Sequence, residues 1–122
     1  GTLSLLPQFE AVIRDFPAVD IVISSAWRQD HSLEELRSFF SPDIAKRIVA
    51  VTPIFHRLEH QYLRQSEITA WLRDEGREYE TWLAIDDSDW YFSPGCRNLI
   101  LTSEEVGFDE KTAWALRRRL SK

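Results

Sequence analysis

The hydrophobic residues of the chain follow two alternating spacings, which predict helices and strands in turn. Pro17 ends a first predicted helix, whose apolar face is formed at helical spacing by Leu6, Phe9, Val12, Ile13 and Phe16. Ser32 and Glu35 form a capping box that begins a second helix. A long amphipathic stretch over 58–75 predicts a further helix that ends at Gly76, and Asp109 is a candidate N-cap of the last one.

Four short apolar runs predict β-strands between these helices, at residues 20–24, 48–51, 82–85 and 98–101. The three central residues of the first run, Ile21, Val22 and Ile23, are all β-branched, as expected for a strand that is buried on both faces. Such strands, when they alternate with helices, form a parallel sheet that is covered by helices on both sides. The sequence therefore predicts an α/β fold.

Composition and charge narrow the class of protein. The 122 residues fit one domain with one core, and a hydrophobic content of 43% argues against disorder. The net charge of −5 disfavours a broad nucleic-acid-binding face, but a small phosphorylated molecule or a nucleic-acid end can still bind at a local site. A single cysteine, Cys96, and the lack of a long apolar run predict a cytoplasmic protein that does not enter a membrane.

Two of the predicted strands end in polar groups that suit phosphate chemistry. Ser24, Ser25 and Arg28 follow the first strand, and Asp86 and Asp87 follow the third. Ligands of open α/β sheets bind beyond the carboxyl ends of the strands, where these groups are expected to meet. Adjacent carboxylates repel each other unless a cation neutralises them, and Mg²⁺ binds one or two carboxylates together with water and phosphate oxygens. Each feature alone is also typical of an ordinary turn, so only their combination indicates a site.

Four segments follow one another in an order that is typical of a known family. Residues 21–28 form a strand that leads into Ser-Ser-Ala-Trp-Arg, and Arg64 lies in a helix. Residues 82–87, Trp-Leu-Ala-Ile-Asp-Asp, and Val106-Gly107-Phe108 come later. In this order the segments resemble the second, third and fourth motifs and the C-terminal stretch of HAD-like (haloacid-dehalogenase-like) phosphohydrolases, in particular the HAD domains of Swiss-Army-Knife RNA-repair proteins. The resemblance implies one three-layer, Rossmann-like domain over residues 1–122, with a mainly parallel sheet.

The resemblance also implies an activity and a role for each site residue. The activity is that of a Mg²⁺-dependent phosphatase acting on a phosphate monoester, such as a nucleotide or a nucleic-acid end. Ser24 or Ser25 would hydrogen-bond the phosphoryl group, and Arg64 would stabilise its charge. Asp86 and Asp87 would hold Mg²⁺ directly or through water. We expect these side chains to converge on one pocket.

Two of the arginines have alternative interpretations. Arg28 is expected to contact the phosphate or substrate, or else to be a buried partner of Asp86 or Asp89. Arg64, on an amphipathic helix, is otherwise typical of a solvated surface group or of a partner of Glu67 or Glu75.

One part of the family pattern is absent from these residues. HAD-like phosphatases attack with the first aspartate of an Asp-x-Asp motif at the end of the central strand, whereas residues 1–5 contain no acidic residue. That strand would lie between the strands at 20–24 and 82–85, so we expect a slot one strand wide between them. An N-terminal segment beyond Gly1, a second chain or residues 1–5 would fill it. Without the nucleophile we expect negligible activity.

Two other functions compete with the phosphatase. A HAD-like module without its nucleophile would be a non-catalytic domain that binds a partner. The segment His56-Arg57-Leu58-Glu59-His60 also matches the His-x-x-Glu-His pattern of zinc peptidases. Such enzymes need a third protein ligand and a substrate cleft, so we expect both histidines on a solvated helix face apart from the phosphate site.

Overall fold

Helices and strands alternate along the chain, as the hydrophobic pattern predicts. The computed structural model describes residues 6–103 and 108–122. Its elements, in chain order, are α1 (Leu6–Arg14), β1 (Ile21–Ile23), α2 (Leu33–Ser38), α3 (Pro42–Ala45), β2 (Ile48–Val51), α4 (Leu63–Asp74), β3 (Ala84–Asp86), β4 (Leu99–Leu101) and α5 (Glu110–Leu120). All four predicted strands are present, so the α/β class is confirmed. Val106 and Gly107 of the family-like stretch lie outside the described residues.

The strands form two small parallel sheets. β1 pairs with β2, and Ile23 lies opposite Val51. β3 pairs with β4, and Asp86 lies opposite Leu101. Within residues 6–103 and 108–122, no ladder of hydrogen bonds joins the two pairs, so β1 and β3 do not pair directly. The single three-layer sheet, and the slot one strand wide at its centre, stay predictions.

The hydrophobic core lies between α1, α3, β4 and α5. Its centre is formed by side chains that are at most 7% exposed, namely Val12, Ile13, Ile44, Ile100 and Leu116. Full burial of an aliphatic side chain contributes roughly 1.5–3 kcal/mol, so this cluster is a main source of stability. No helix in the described part of the chain is both long and apolar enough to cross a membrane.

Local capping residues determine several helix ends. Ser32 accepts a hydrogen bond from the backbone N–H of Glu35, and the Glu35 carboxylate accepts one from Ser32 N. The predicted capping box is therefore confirmed. Gly76 has a φ of +69°, a conformation that side chains disfavour, and ends α4 as predicted. Asp109 caps α5 by accepting from the N–H of Thr112.

The start of the long helix differs from the prediction. Residues 58–75 were expected to form one helix, but α4 begins at Leu63 and a separate 3-10 turn covers Arg57–Glu59. His56 caps that turn through Nδ1, which accepts from Leu58 N. The backbone of His60 is extended, with φ −135° and ψ 126°, so the helix cannot run through it.

Candidate active site

The carboxyl ends of β1 and β2 are tied together by Arg28, which lies in a 3-10 turn at Ala26–Gln29. Its Nη1 donates to the backbone oxygens of Ser24 and Ser25, each at 2.8 Å. Its Nε and Nη2 donate across to Thr52 O and Pro53 O after β2, both at 3.1 Å. Arg28 therefore fixes the shape of the turn that follows β1.

Arg28 is not the substrate contact that the family pattern implies. The residue is 7% exposed, and all three of its side-chain nitrogens already face protein oxygens. Its acidic partner is also not one of the expected aspartates, because Nη2 lies 2.7 Å from Oε1 of Glu67. Burial lowers the pKa of Arg28, and the nearby positive charge of Arg64 lowers it further, whereas Glu67 raises it. The side chain has a structural role.

Glu67 is the acidic centre that connects the two arginines. It is 1% exposed, and its Oε1 lies 2.7 Å from Arg28 Nη2 and 3.7 Å from Arg64 Nε. Its other oxygen accepts from the backbone N–H of Phe55 at 2.9 Å. The predicted pairing of Arg64 with Glu67 is confirmed, whereas the contact of Glu67 with Arg28 was not predicted. The sequence signal for a buried Glu67 was its position three residues after Arg64, on the helix face that also carries Trp71.

Arg64 and Asp86 meet at the carboxyl end of β3, as predicted. Arg64 Nη1 donates to Asp86 Oδ2 at 2.7 Å, and the two side chains are 11% and 7% exposed. The interpretation of Arg64 as a solvated group is therefore wrong. Its guanidinium also lies over the ring of Tyr91, 4.8 Å from the ring centre. The contacts from Arg28 through Glu67 and Arg64 to Asp86 form a line of alternating charges between the ends of the two sheets.

Asp86 has an altered acidity in this setting. Burial raises the pKa of its carboxyl above the ordinary value, and this effect exceeds the opposing one of Arg64. Asp86 Oδ1 also accepts from Ser88 N at 2.9 Å, which lowers the pKa, while the charge of Asp87 raises it. A buried carboxylate is stabilised by a neighbouring cation or by taking up a proton.

Several buried polar atoms near these strand ends have no hydrogen-bond partner among residues 6–103 and 108–122. They include the hydroxyl oxygens of Ser25 and Thr52, and Nε of Arg64. Thr52 follows β2, is 3% exposed, and donates its backbone N–H to Ile23 O at the end of β1. Buried polar groups without partners are rare in proteins and cost roughly 1–3 kcal/mol each. The two hydroxyls follow the ends of β1 and β2, and Arg64 lies in the first turn of α4.

The acidic pair has the chemistry that Mg²⁺ requires. Asp87 is exposed, and one of its oxygens accepts only a bond from the hydroxyl of Ser88 at 3.1 Å. Among the described residues, no group of three or more His, Cys, Asp and Glu side chains forms a metal cluster. Mg²⁺ needs only one or two protein carboxylates when water and phosphate complete its shell. Asp86 and Asp87 therefore fit a Mg²⁺ ion, but not a metal held by protein ligands alone.

The two histidines of the zinc-peptidase pattern do not form a ligand pair on a helix. His56 uses Nδ1 to cap its own turn, and His60 stacks on the ring of Phe55 at 4.7 Å. In the described part of the chain, neither hydrogen-bonds or ion-pairs with Arg64 or Asp86. The expected helix face for these residues is wrong, because the chain there forms a 3-10 turn and an extended residue.

The fold and these contacts define an α/β domain with a basic and an acidic group at the carboxyl ends of parallel strands. Residues 3–113 match the model of a family described as the HAD domain in Swiss Army Knife RNA repair proteins. The chain therefore belongs to this family, and the resemblance seen in the sequence is confirmed. No curated protein and no solved structure matches the chain.

Proposed function

We propose that this chain forms the core of a Mg²⁺-dependent phosphohydrolase that hydrolyses the phosphate monoester of a nucleotide or an RNA end. The observation that supports this most directly is the 2.7 Å contact between Arg64 Nη1 and Asp86 Oδ2. It joins the basic and acidic motifs of the family at the strand ends where ligands of open α/β sheets bind. Membership of a family named for RNA repair proteins supports the nucleic-acid context.

The partnerless polar atoms support a phosphate-binding role for this site. Among the described residues, the buried Ser25 hydroxyl makes no hydrogen bond, and the nearest acidic oxygen to Arg64 Nε is that of Glu67 at 3.7 Å, beyond hydrogen-bond length. A phosphate offers several strong acceptor oxygens to such donors. Ser24 is half-buried beside them and is the alternative hydroxyl donor. Glu67 holds Arg64 from the side of Nε and Asp86 holds it from Nη1, so the guanidinium is oriented before a ligand arrives.

Asp86 and Asp87 are the residues that would hold Mg²⁺ in this proposal. When bound, the ion supplies charge neutralisation for the transferring phosphoryl group. Asp87 is the more open ligand because it is exposed, whereas Asp86 is held in place by Arg64 and by the N–H of Ser88. We therefore assign Asp87 to the metal and Asp86 to both the metal and the orientation of Arg64.

The attacking group in this proposal is an aspartate of an Asp-x-Asp motif on a strand between β1 and β3. An N-terminal segment or a second chain would supply that strand. The separation of β1–β2 from β3–β4 into two sheets supports this proposal, since a strand between them could pair with both. The added strand would also bring polar groups close to the partnerless hydroxyls of Ser25 and Thr52.

The test is hydrolysis of p-nitrophenyl phosphate by the full-length protein with and without Mg²⁺. We expect turnover that depends on Mg²⁺, and we expect Arg64→Ala to lower kcat by roughly 100- to 1,000-fold, the usual effect of removing a group that stabilises the transition state. Asp87→Asn should weaken Mg²⁺ binding in calorimetric titration without unfolding the domain, because it removes charge and not volume.

A matched control is Asp74→Asn, since Asp74 ends α4 away from Arg64 and its side chain is 69% exposed. This variant should keep wild-type turnover. Two results would overturn the proposal: turnover that persists without Mg²⁺, or unchanged turnover in both Asp86→Asn and Asp87→Asn. A folded full-length protein with no turnover would favour the non-catalytic module.

A further inference from the structure

Trp90 exposes a large aromatic surface next to the candidate site. It lies in a 3-10 turn at Asp89–Tyr91, four positions after Asp86, and is 57% exposed. Four residues span at most about 14 Å even when extended, and a helical turn is shorter, so the backbone of Trp90 lies within that distance of Asp86. Exposing a tryptophan forgoes a large burial energy, which makes its position informative.

The exposure of Trp90 is not the result of a loosely held loop. Before the turn, Ser88 N donates to Asp86 Oδ1 at 2.9 Å. After it, Phe92 is 2% exposed, and Ser93 N donates to the side chain of Gln65 on α4 at 2.8 Å. The turn is thus anchored on both sides, and Trp90 is left outward.

Trp90 is also connected to the phosphate-binding side chains. Its ring centre lies 5.6 Å from that of Tyr91, and the Tyr91 ring in turn carries the guanidinium of Arg64 at 4.8 Å. Arg64, Tyr91 and Trp90 therefore form a continuous series of contacts that runs from the basic group to an exposed indole.

We propose that Trp90 is a stacking platform for the nucleobase next to the phosphate that binds at Arg64 and Asp86. This inference rests on the proposed function and specifies its substrate class. A nucleobase is the ligand chemistry that matches a flat, exposed indole beside a phosphate site, because every base has a π-face. Stacking also explains how a chain of net charge −5 can bind a nucleotide or an RNA end, since the contact does not depend on a broad basic surface.

The test compares two small ligands, each as its non-hydrolysable phosphonate analogue, by calorimetry on the full-length protein with Mg²⁺. Adenosine 5′-monophosphate carries a base and a phosphate, and ribose 5-phosphate carries only the sugar and phosphate. We expect Trp90→Ala to raise the Kd of the nucleotide roughly 5- to 150-fold, the usual range for loss of one base–aromatic stack. The Kd of ribose 5-phosphate should not change, and Trp90→Phe should recover most of the lost affinity.

The matched control is Trp114→Ala. Trp114 is 62% exposed, carries Arg118 over its ring at 4.8 Å, and lines a groove of about 430 Å³ between β4 and α5. Its removal should leave the affinity for both ligands unchanged. A loss of nucleotide affinity in Trp114→Ala equal to that in Trp90→Ala would overturn the assignment and place the base in the groove.

The remaining outcomes separate this inference from the function it rests on. If Trp90→Ala binds the nucleotide as tightly as the wild type, the stacking role is wrong while the phosphohydrolase proposal stands. If the wild type binds neither ligand, the stacking role and the phosphohydrolase proposal both fail.

A 5′-phosphorylated tetranucleotide distinguishes the two sources of the base. If the tetranucleotide binds more tightly than the mononucleotide and Trp90→Ala abolishes that binding, the substrate is an RNA end. If the two bind equally and Trp90→Ala weakens both, the substrate is a free nucleotide.

Discussion

Glu67 lies between Arg28 and Arg64, and its charge allows both guanidinium groups to remain buried. Arg64 already lowers the pKa of Arg28 through repulsion, so the two cations destabilise each other. Glu67 offsets this repulsion through Oε1, which lies 2.7 Å from Arg28 Nη2 and 3.7 Å from Arg64 Nε. Removing one member of a buried ion network leaves uncompensated charge and costs far more than losing a surface pair.

Glu67→Gln should therefore destabilise the protein strongly. The substitution keeps the volume but leaves two buried arginines with no shared anion, and we expect the free energy of unfolding to fall by about 3–5 kcal/mol. Urea unfolding measures the change. Glu78→Gln is the control, because Glu78 is exposed, and it should change stability by less than about 0.5 kcal/mol. A loss of the same small size in Glu67→Gln would show that this network does not hold the site.

At the scale of elements, two serines stand before short helices and have different roles. Ser32 accepts the N–H of Glu35 in a complete capping box at the start of α2. Ser25 occupies the equivalent position before the turn at Ala26–Gln29 but makes no capping hydrogen bond, and its hydroxyl has no partner. The first serine is explained by helix stability, whereas the second is available for a ligand.

These two serines should respond in opposite ways to removal of the hydroxyl. Ser32→Ala should lower the free energy of unfolding by ~1 kcal/mol, the usual cost of losing an N-cap. Ser25→Ala should leave stability unchanged within about 0.5 kcal/mol or raise it, because no internal hydrogen bond is lost. The affinity of the Ser25→Ala variant for inorganic phosphate should fall instead. A destabilised Ser25→Ala with unchanged phosphate affinity would identify a structural serine.

At the scale of the whole molecule, the candidate site depends on several distant parts of the chain. Its groups come from the end of β1, the end of β2, the first two turns of α4 and the end of β3. Arg47 holds the connection that leads into β1, because its side chain donates to the backbone oxygens of Ile13, Phe16 and Val19 between α1 and β1. Ionisation within the site is therefore linked to global stability.

Asp86 provides a test of that linkage through pH. Burial raises the pKa of its carboxyl in the folded state above the ordinary value of 3.8, so the folded state holds its proton more tightly than the unfolded state. The stability contributed by Asp86 is then fully present below pH 3.8 and is lost as the pH rises through the raised pKa. The Asp86→Asn variant has no titratable carboxyl group at this position.

The free energy of unfolding of Asp86→Asn minus that of the wild type should therefore increase as the pH rises from 3.8, and level off above the raised pKa. Urea unfolding of both proteins at a series of pH values measures this difference. All other carboxyl groups are common to the two proteins, so their contributions largely cancel. A difference that stays flat or falls with rising pH would show that burial does not dominate the acidity of Asp86.

The sequence by itself determined the features that depend on neighbouring residues. The capping box at Ser32, the stop at Gly76 and the cap at Asp109 each follow from contacts within a few residues, and all are present. The four apolar runs also predicted the strands, although the three residues of β1 are only partly buried and not fully buried as predicted. The order of the motifs indicated the family. The error over residues 58–62 arose from a local competitor, the hydrogen bond that caps the turn at His56.

Only the tertiary structure decided which charged groups are neighbours. The sequence predicted that Arg28 contacts a phosphate or substrate or is a buried partner of Asp86 or Asp89. The fold instead brings Arg28 within 2.7 Å of Glu67 and buries both. The spacing of residues along a chain does not determine such a pair, since β1 and α4 approach only after the sheets and helices have packed. In the described part of the chain, the same packing left the Ser25 hydroxyl without a hydrogen-bond partner and Trp90 exposed next to Tyr91. Burial and long-range contact are properties of the packed chain, and they separate the residues that hold the site together from those left open to a ligand.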